Sequence, residues 1–159
     1  MTLTRDALPV SNQLPRAERL RLSIELTNIC NFTCPFCPQA HKGKEQPAGS
    51  PYDRRQGRMA DEVFERALAE AERVAETVEL GFFGEQTLHP RYAEFLRRMK
   101  TRSFGLELNT NISFLTDDMM DAWVEAQVDM TRLSLDAVTP EVFDRARPGQ
   151  VRDLAGKVV

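Results

Sequence analysis

Residues 19–37 read RLRLSIELTNICNFTCPFC and join a predicted strand directly to all three cysteines of the chain. The first half alternates strictly and carries apolar side chains on one face, at Leu20, Leu22, Ile24 and Leu26. A period of two predicts a β-strand with one apolar side. Cys30, Cys34 and Cys37 follow this strand at once, so the sequence predicts a functional loop at its carboxyl end.

The composition is that of an ordinary globular domain. The chain has 159 residues, of which 42% are hydrophobic and 28% charged, and its net charge is -3. This length suits one domain, and the weak charge does not indicate a nucleic-acid or membrane-surface partner. Residues 1–20 lack the apolar run of a signal peptide, so we expect a cytoplasmic protein.

The strand pattern returns three times along the chain. Strands are predicted at residues 77–84, 105–111 and 131–136, with Leu133 and Leu135 of the last one facing the core. Helices are predicted with caps at Asp61, Thr116 and Thr139, and with Pro90 in the first turn of the second one. The third helix is expected to bury Met119, Met120, Trp123 and Val124. Such alternation predicts an α/β fold with about four parallel strand–helix units.

The face of each strand opposite the apolar one is polar. It carries Ser23, Glu25, Thr27, Glu79, Glu107, Asn109, Arg132, Ser134 and Asp136. A sheet with one solvated face would give this pattern, and so would a partial (β/α) barrel with a polar cavity. We favour the partial barrel, because parallel sheets rarely leave a face open to water. The charged residues of this face, such as Glu79 and Arg132, are expected to form ion pairs or to contact substrate.

The three cysteines form one cluster in the sequence. In a reducing compartment, cysteines grouped in this way bind a metal more often than they form a disulfide. Cys34 and Cys37 alone could be a redox pair, but Cys30 would then have no role. Zinc is an alternative, because His41 would complete a Cys3His set. Three thiolates would leave one iron of a [4Fe–4S] cluster open, so the residues alone indicate a metal site and do not decide between a cluster and zinc.

The spacing C-x3-C-x2-C after a strand resembles the signature of the radical S-adenosylmethionine (SAM) superfamily. The resemblance implies that Cys30, Cys34 and Cys37 ligate a [4Fe–4S] cluster and that SAM binds the open iron. It also implies reductive cleavage of SAM to a 5′-deoxyadenosyl radical, which abstracts hydrogen from a peptide or small-molecule substrate. A reductant such as a flavodoxin or ferredoxin would supply the electron.

Four further segments resemble the family's SAM-binding segments in the same order. Phe36 matches the aromatic position near the adenine, and GFFGEQ at 81–86 is similar to the Gly-Gly-Glu-Pro segment. By that match, Gly84 and Glu85 would receive the methionine amino group. The remaining segments imply contacts to the ribose or carboxylate from Asn109, Ser134 and Asp136, with Asn111 as a further candidate.

The chain departs from the family pattern in two ways. Phe83 replaces the first glycine of the usual pair, and Gln86 replaces the proline. The family barrel usually has six strand–helix units, whereas four are predicted here. We therefore expect an extension at residues 1–19 and a partial barrel domain at 20–159 that is truncated at its C-terminus. A non-catalytic metal-binding fragment of such an enzyme is the alternative function.

Overall fold

The computed structural model describes residues 19–38 and 55–149. Strands and helices alternate through these ranges. The strands are β1 (Leu20–Ile24), β2 (Ala75–Leu80), β3 (Gly105–Thr110) and β4 (Met130–Leu133). The helices are α1 (Asp61–Val74), α2 (Tyr92–Arg98), α3 (Asp117–Glu125) and α4 (Pro140–Ala146), with a short 3-10 helix at Gln86–Leu88. His41, residues 1–18 and residues 150–159 lie outside the described ranges.

The four strands form one parallel sheet in the order β1-β2-β3-β4. Val78 at the centre of β2 lies opposite Leu22 of β1 and Leu106 of β3. Parallel neighbours must be joined by crossovers, which α1, α2 and α3 provide. The open sheet with its helices confirms the predicted α/β fold and is consistent with a partial (β/α) barrel.

The hydrophobic core lies between the sheet and helices α1 and α2. The apolar faces of β2 and β3 are buried there, as the alternation predicts, through Val78, Leu80, Leu106 and Leu108. The rings of Phe64 from α1 and Phe95 from α2 stack in parallel, with centroids 4.0 Å apart. This packing fixes the two helices against the sheet and leaves the opposite face of the strands free for polar groups.

The helix caps agree with the sequence prediction at Thr116 and differ at Asp61, which is the first residue of α1. The Thr116 hydroxyl caps α3 by accepting a hydrogen bond from the Met119 amide. At α1 the cap position belongs to Ala60, so the prediction of an Asp61 cap is wrong. Asp61 instead pairs with Arg91 and with Arg98 of α2, which takes its carboxylate away from the helix start. In the described part of the chain, no helix is long and apolar enough to cross a bilayer.

The β4 side of the sheet differs from the prediction. The strand ends at Leu133, and the side chains of Leu133 and Leu135 are 53% and 66% exposed instead of facing the core. On α3, Met119 and Trp123 pack against the core as predicted, whereas Met120 and Val124 are exposed. The physical reason is that β4 is an edge strand of the described sheet and α4, which follows it, buries no residue.

The polar face of the sheet carries a network of ion pairs. Glu79 and Glu107 lie side by side on β2 and β3, and Arg21 and Arg132 flank them on β1 and β4. Arg132 donates to the Glu107 carboxylate at 2.6 Å, and Arg21 donates to the same carboxylate. Two cations therefore compensate two carboxylates that would repel one another. The predicted ion pairs are confirmed for Glu79, Glu107 and Arg132.

This network makes the stability of the fold depend on pH. Burial raises the pKa of Glu107, but hydrogen bonds from Arg132 and Arg21 outweigh that effect and hold the pKa below the ordinary glutamate value. A depressed pKa contributes stability above the unfolded-state pKa, and this contribution is lost as the pH falls through the folded-state pKa. We expect the urea midpoint of the wild type to approach that of Glu107→Gln between about pH 5 and pH 3.

Urea unfolding across this pH range checks the prediction. Glu76→Gln is the matched control, because Glu76 is an exposed glutamate on β2. Its urea midpoint should follow that of the wild type at every pH. A constant difference between wild type and Glu107→Gln over the whole range would contradict the prediction.

Candidate functional site

A cavity of about 310 Å³ opens at the carboxyl ends of the strands. All three cysteines line it. Five of the six residues that the resemblance assigns to cofactor binding line it too, namely Phe36, Gly84, Glu85, Asn109 and Ser134. The sixth, Asp136, is not among the lining residues. Segments that are distant in the sequence meet here because parallel strands end at the same edge of the sheet.

The cysteine loop is a compact turn with its thiols at different depths. Cys34 is buried, while Cys30 and Cys37 are partly exposed, and all three are free thiols. The Cys37 amide donates to the Cys34 carbonyl, and the Phe32 amide donates to the Cys30 sulfur at 3.5 Å. Burial raises the pKa of Cys30 and of Cys34. A metal binds the thiolate form, so ligation by these cysteines would release their protons.

The three thiols are a donor set that suits an iron–sulfur cluster. All three line one cavity, and a [4Fe–4S] cluster binds each of its cysteine ligands through a different iron. Within residues 19–38 and 55–149, no three Cys, His, Asp or Glu side chains form a site for one metal ion. His41, which the zinc alternative requires, lies outside these residues.

Gly84 lies where the loop after β2 touches the segment after β1. A Cβ atom at this position would be 1.9 Å from the Thr27 carbonyl oxygen, so only glycine fits. The amides of Phe83 and Gly84 both donate to the Glu25 carboxylate, at 3.1 and 3.3 Å. The bulky Phe83 is tolerated because the close backbone approach occurs at Gly84. This loop consequently holds its position although it lacks one glycine of the family pattern.

Glu85 is buried, and its carboxylate accepts four hydrogen bonds. One oxygen accepts from the Thr87 amide (3.2 Å), the Thr87 hydroxyl (2.8 Å) and the Thr110 hydroxyl (2.8 Å). The other oxygen accepts from the Asn111 amide at 2.7 Å. These hydrogen bonds fasten the β2 loop to the end of β3. In this structure Glu85 thus joins two strand ends.

Gln86 fills the position at which the family usually has proline, and it is fully buried. Its side-chain oxygen accepts from the Leu26 amide at 2.6 Å and from the Thr27 amide at 3.3 Å. Its side-chain nitrogen donates to the carbonyls of Thr27 and Gly84. The amide therefore connects the ends of β1 and β2, a role that proline cannot perform because it has no side-chain polar group. The replacement of proline by Gln86 is visible in the sequence, but its role in joining β1 to β2 is not.

A second polar network joins the cysteine loop to the end of β3. The Asn31 side chain donates to the Ser113 hydroxyl at 2.7 Å and accepts from the Asn111 side chain at 3.1 Å. Asn109, by contrast, donates its side-chain N–H to Glu79 of the polar face. Ile112, between these residues, adopts a φ of 55°, a strained conformation for a β-branched residue. The hydrogen bonds of Asn111 and Ser113, on either side of Ile112, hold the loop in this conformation and so maintain the strain.

Arg147 lines the cavity, but it is not among the site residues that the sequence predicts. It is the C-cap residue of α4, where a basic side chain is usual whatever the function. In the structure its guanidinium pairs with Asp136, donates toward the Cys34 sulfur at 3.7 Å and lies 5.6 Å from the centre of the Phe36 ring. The contact between Arg147 and Cys34 joins residues 113 positions apart. No local pattern in the sequence could reveal it.

Comparisons with known proteins agree with this arrangement. The model of the Radical SAM superfamily matches residues 24–155. The chain is similar to the tungsten-containing aldehyde ferredoxin oxidoreductase cofactor-modifying protein of Pyrococcus furiosus, with 33% identity over 119 residues. This alignment covers 74% of the chain and 31% of that protein.

A solved structure has a related fold. BtrN, crystallised in complex with AdoMet and 2-DOIA, matches with a TM-score of 0.59 and 17% sequence identity. The match covers 75% of this chain and 47% of BtrN, so the chain spans less than half the length of either relative. The family match extends over most of the chain and includes the strand ends that surround the three cysteines. The chain therefore belongs to the radical SAM superfamily.

Proposed function

We propose that this chain carries the cluster-binding and SAM-binding part of a radical SAM enzyme. The observation that supports this proposal most directly is that the three cysteines share one cavity with the ends of β2, β3 and β4. When bound, the cluster would supply one electron for the reductive cleavage of SAM, the chemistry that leads to abstraction of hydrogen from a substrate. The protein's own residues bind, orient and shield these groups.

The proposed roles follow the lining of the cavity. Cys30, Cys34 and Cys37 would ligate the cluster, and the partly buried cysteine loop would limit the access of water to it. Phe36 would offer its exposed ring to the adenine. Gly84 and Glu85 would hold the methionine end of SAM. Because four hydrogen bonds also hold the Glu85 carboxylate in place, we propose that it fixes the loop that faces the cofactor as well.

Further proposed contacts come from β3 and β4. Asn109 and Ser134, both on the cavity wall, would reach the ribose or carboxylate side of SAM. Asp136 would act at the margin of the same site, where it is paired with Arg147. A flavodoxin or ferredoxin would deliver the electron, and the substrate would be a peptide or small molecule. The name of the Pyrococcus relative adds the cofactor of another enzyme as a candidate substrate class.

The proposal predicts cluster-dependent cleavage of SAM. We expect the anaerobically reconstituted chain to hold roughly four irons and, with SAM and dithionite, to release 5′-deoxyadenosine. Replacing one ligand, as in Cys34→Ala, should abolish this product because the cluster loses one of its three protein ligands. Chromatography of the reaction mixture measures the product, and electron paramagnetic resonance of the reduced cluster with and without SAM measures cofactor binding.

The controls separate chemistry from folding. A cysteine outside the cluster would be the natural control for Cys34→Ala, but all three cysteines of the chain are proposed ligands. The urea midpoints of the cluster-free proteins therefore serve as the folding control. A cluster signal that changes with SAM, without product, would support the cofactor site but contradict turnover by this chain alone. Tight binding of zinc in place of iron, with no response to SAM, would contradict the whole proposal.

A further inference from the structure

Three side chains surround the guanidinium of Arg147 beside the cysteine loop. Asp136 pairs with it, the Phe36 ring lies below it at 5.6 Å, and the Cys34 sulfur lies 3.7 Å from its Nη1 atom. Only 12% of the Arg147 side chain is exposed. A buried, stacked guanidinium keeps its position, because its planar donors are already oriented. The side chain is therefore placed to act on Cys34 rather than on solvent.

The backbone beside Arg147 fixes this placement. The Pro148 carbonyl accepts hydrogen bonds from the Thr33 amide at 2.7 Å and from the Thr33 hydroxyl at 3.1 Å. Gly149 forms a bridge with Phe32, and a Cβ atom there would lie 2.4 Å from the Asn31 carbonyl oxygen. The end of α4 is thus fastened directly to the loop that carries the cysteines.

The positive charge of Arg147 lies next to Cys34. Its Nη1 atom is 3.7 Å from the Cys34 sulfur, and a guanidinium stays protonated at any physiological pH. The Nε atom of Arg147 is buried and has no hydrogen-bond partner among the described residues. Of the two terminal nitrogens, Nη2 pairs with Asp136 and Nη1 donates toward the Cys34 sulfur.

We propose that Arg147 is a positioning residue for the iron–sulfur cluster, one that donates an N–H group to the Cys34 sulfur and stabilises the reduced state. This inference rests on the proposed function, because it requires the cluster. Reduction adds a negative charge to the cluster, and a hydrogen bond to a ligating sulfur stabilises that charge. Arg147 would therefore make the cluster easier to reduce by the electron donor.

The test is a redox titration of the reconstituted chain without SAM, followed by electron paramagnetic resonance of the reduced cluster. We expect Arg147→Gln to shift the midpoint potential to a more negative value and Arg147→Lys to give an intermediate value. Arg145→Gln is the matched control, because it removes the same charge from an exposed residue two positions away. Its midpoint should equal that of the wild type.

Each outcome bears on a different claim. A wild-type midpoint in Arg147→Gln, or an equal shift in Arg145→Gln, would overturn the role of Arg147 and leave the proposed function intact. A wild-type chain that takes up no cluster would overturn the proposed function itself. If neither Arg147 variant takes up iron, urea unfolding of the cluster-free proteins shows whether the substitution disturbed the cluster site or the fold. Cooperative unfolding at the wild-type midpoint would support positioning of the cluster, and loss of cooperative unfolding would overturn it.

Discussion

Gly84→Ala is expected to lower the free energy of unfolding by about 3 kcal/mol, at the upper end of the cost of overpacking. The added methyl group would meet the Thr27 carbonyl oxygen at 1.9 Å and its carbon at 2.7 Å. Both atoms belong to the backbone, so neither can turn away as a flexible side chain could. The loop after β2 would have to move away from the segment after β1, and the cavity wall would move with it. Urea unfolding of the cluster-free chain measures the effect.

Gly57→Ala is the matched control for this prediction. A Cβ atom at Gly57 would find no atom within 4 Å, so the same substitution costs no packing there. Alanine also restricts the unfolded chain more than glycine does, which favours the folded state slightly. We expect a urea midpoint equal to or slightly above that of the wild type. Equal losses in both variants would show that the contact between Gly84 and Thr27 does not limit the fold.

Glu85→Gln is expected to lower the free energy of unfolding by about 2–3 kcal/mol, the cost of a buried group that loses its charged acceptor. The four donors around the carboxylate leave no place for an amide nitrogen. If that nitrogen replaces one oxygen it meets the Asn111 amide, and if it replaces the other it meets the Thr87 amide. A buried backbone N–H therefore loses its acceptor in either orientation.

The matched control is again Glu76→Gln, an exposed position on β2 where a similar change should leave the urea midpoint almost unaltered. The measurement uses the cluster-free chain, so it reports on the structural role of Glu85 separately from any contact with SAM. A Glu85→Gln protein as stable as the control would mean that the carboxylate is not needed to join β2 to β3. Its role would then be confined to the cofactor.

The strands, the core and the location of the site could be predicted from the sequence. Alternating residues such as Val78 and Leu80 predicted which strand faces are buried, because a strand directs successive side chains to opposite sides. The order of four strand–helix units predicted a parallel sheet. The assignment of SAM contacts to Asn109, Ser134 and Asp136 came from the resemblance and stays a prediction.

The errors at Asp61, at Leu133 and Leu135 and on α3 have one origin. A local pattern states which side chains could cap a helix or enter a core, but the neighbouring element decides which of them do. Asp61 pairs with arginines outside its own helix instead of capping α1. Leu135 stays 66% exposed because it lies beyond the end of β4, at the edge of the described sheet.

The amino-acid sequence by itself determined the alternation of strands and helices, the cysteine cluster at the end of β1 and the polar face of the sheet. These features depend on backbone geometry and on residues close together in the chain. Only the tertiary structure decided that Gln86 joins β1 to β2, that Glu85 is surrounded by four donors and that Arg147 reaches Cys34. Such contacts join residues up to 113 positions apart, and they form because packing the core brings the strand ends together at one edge of the sheet.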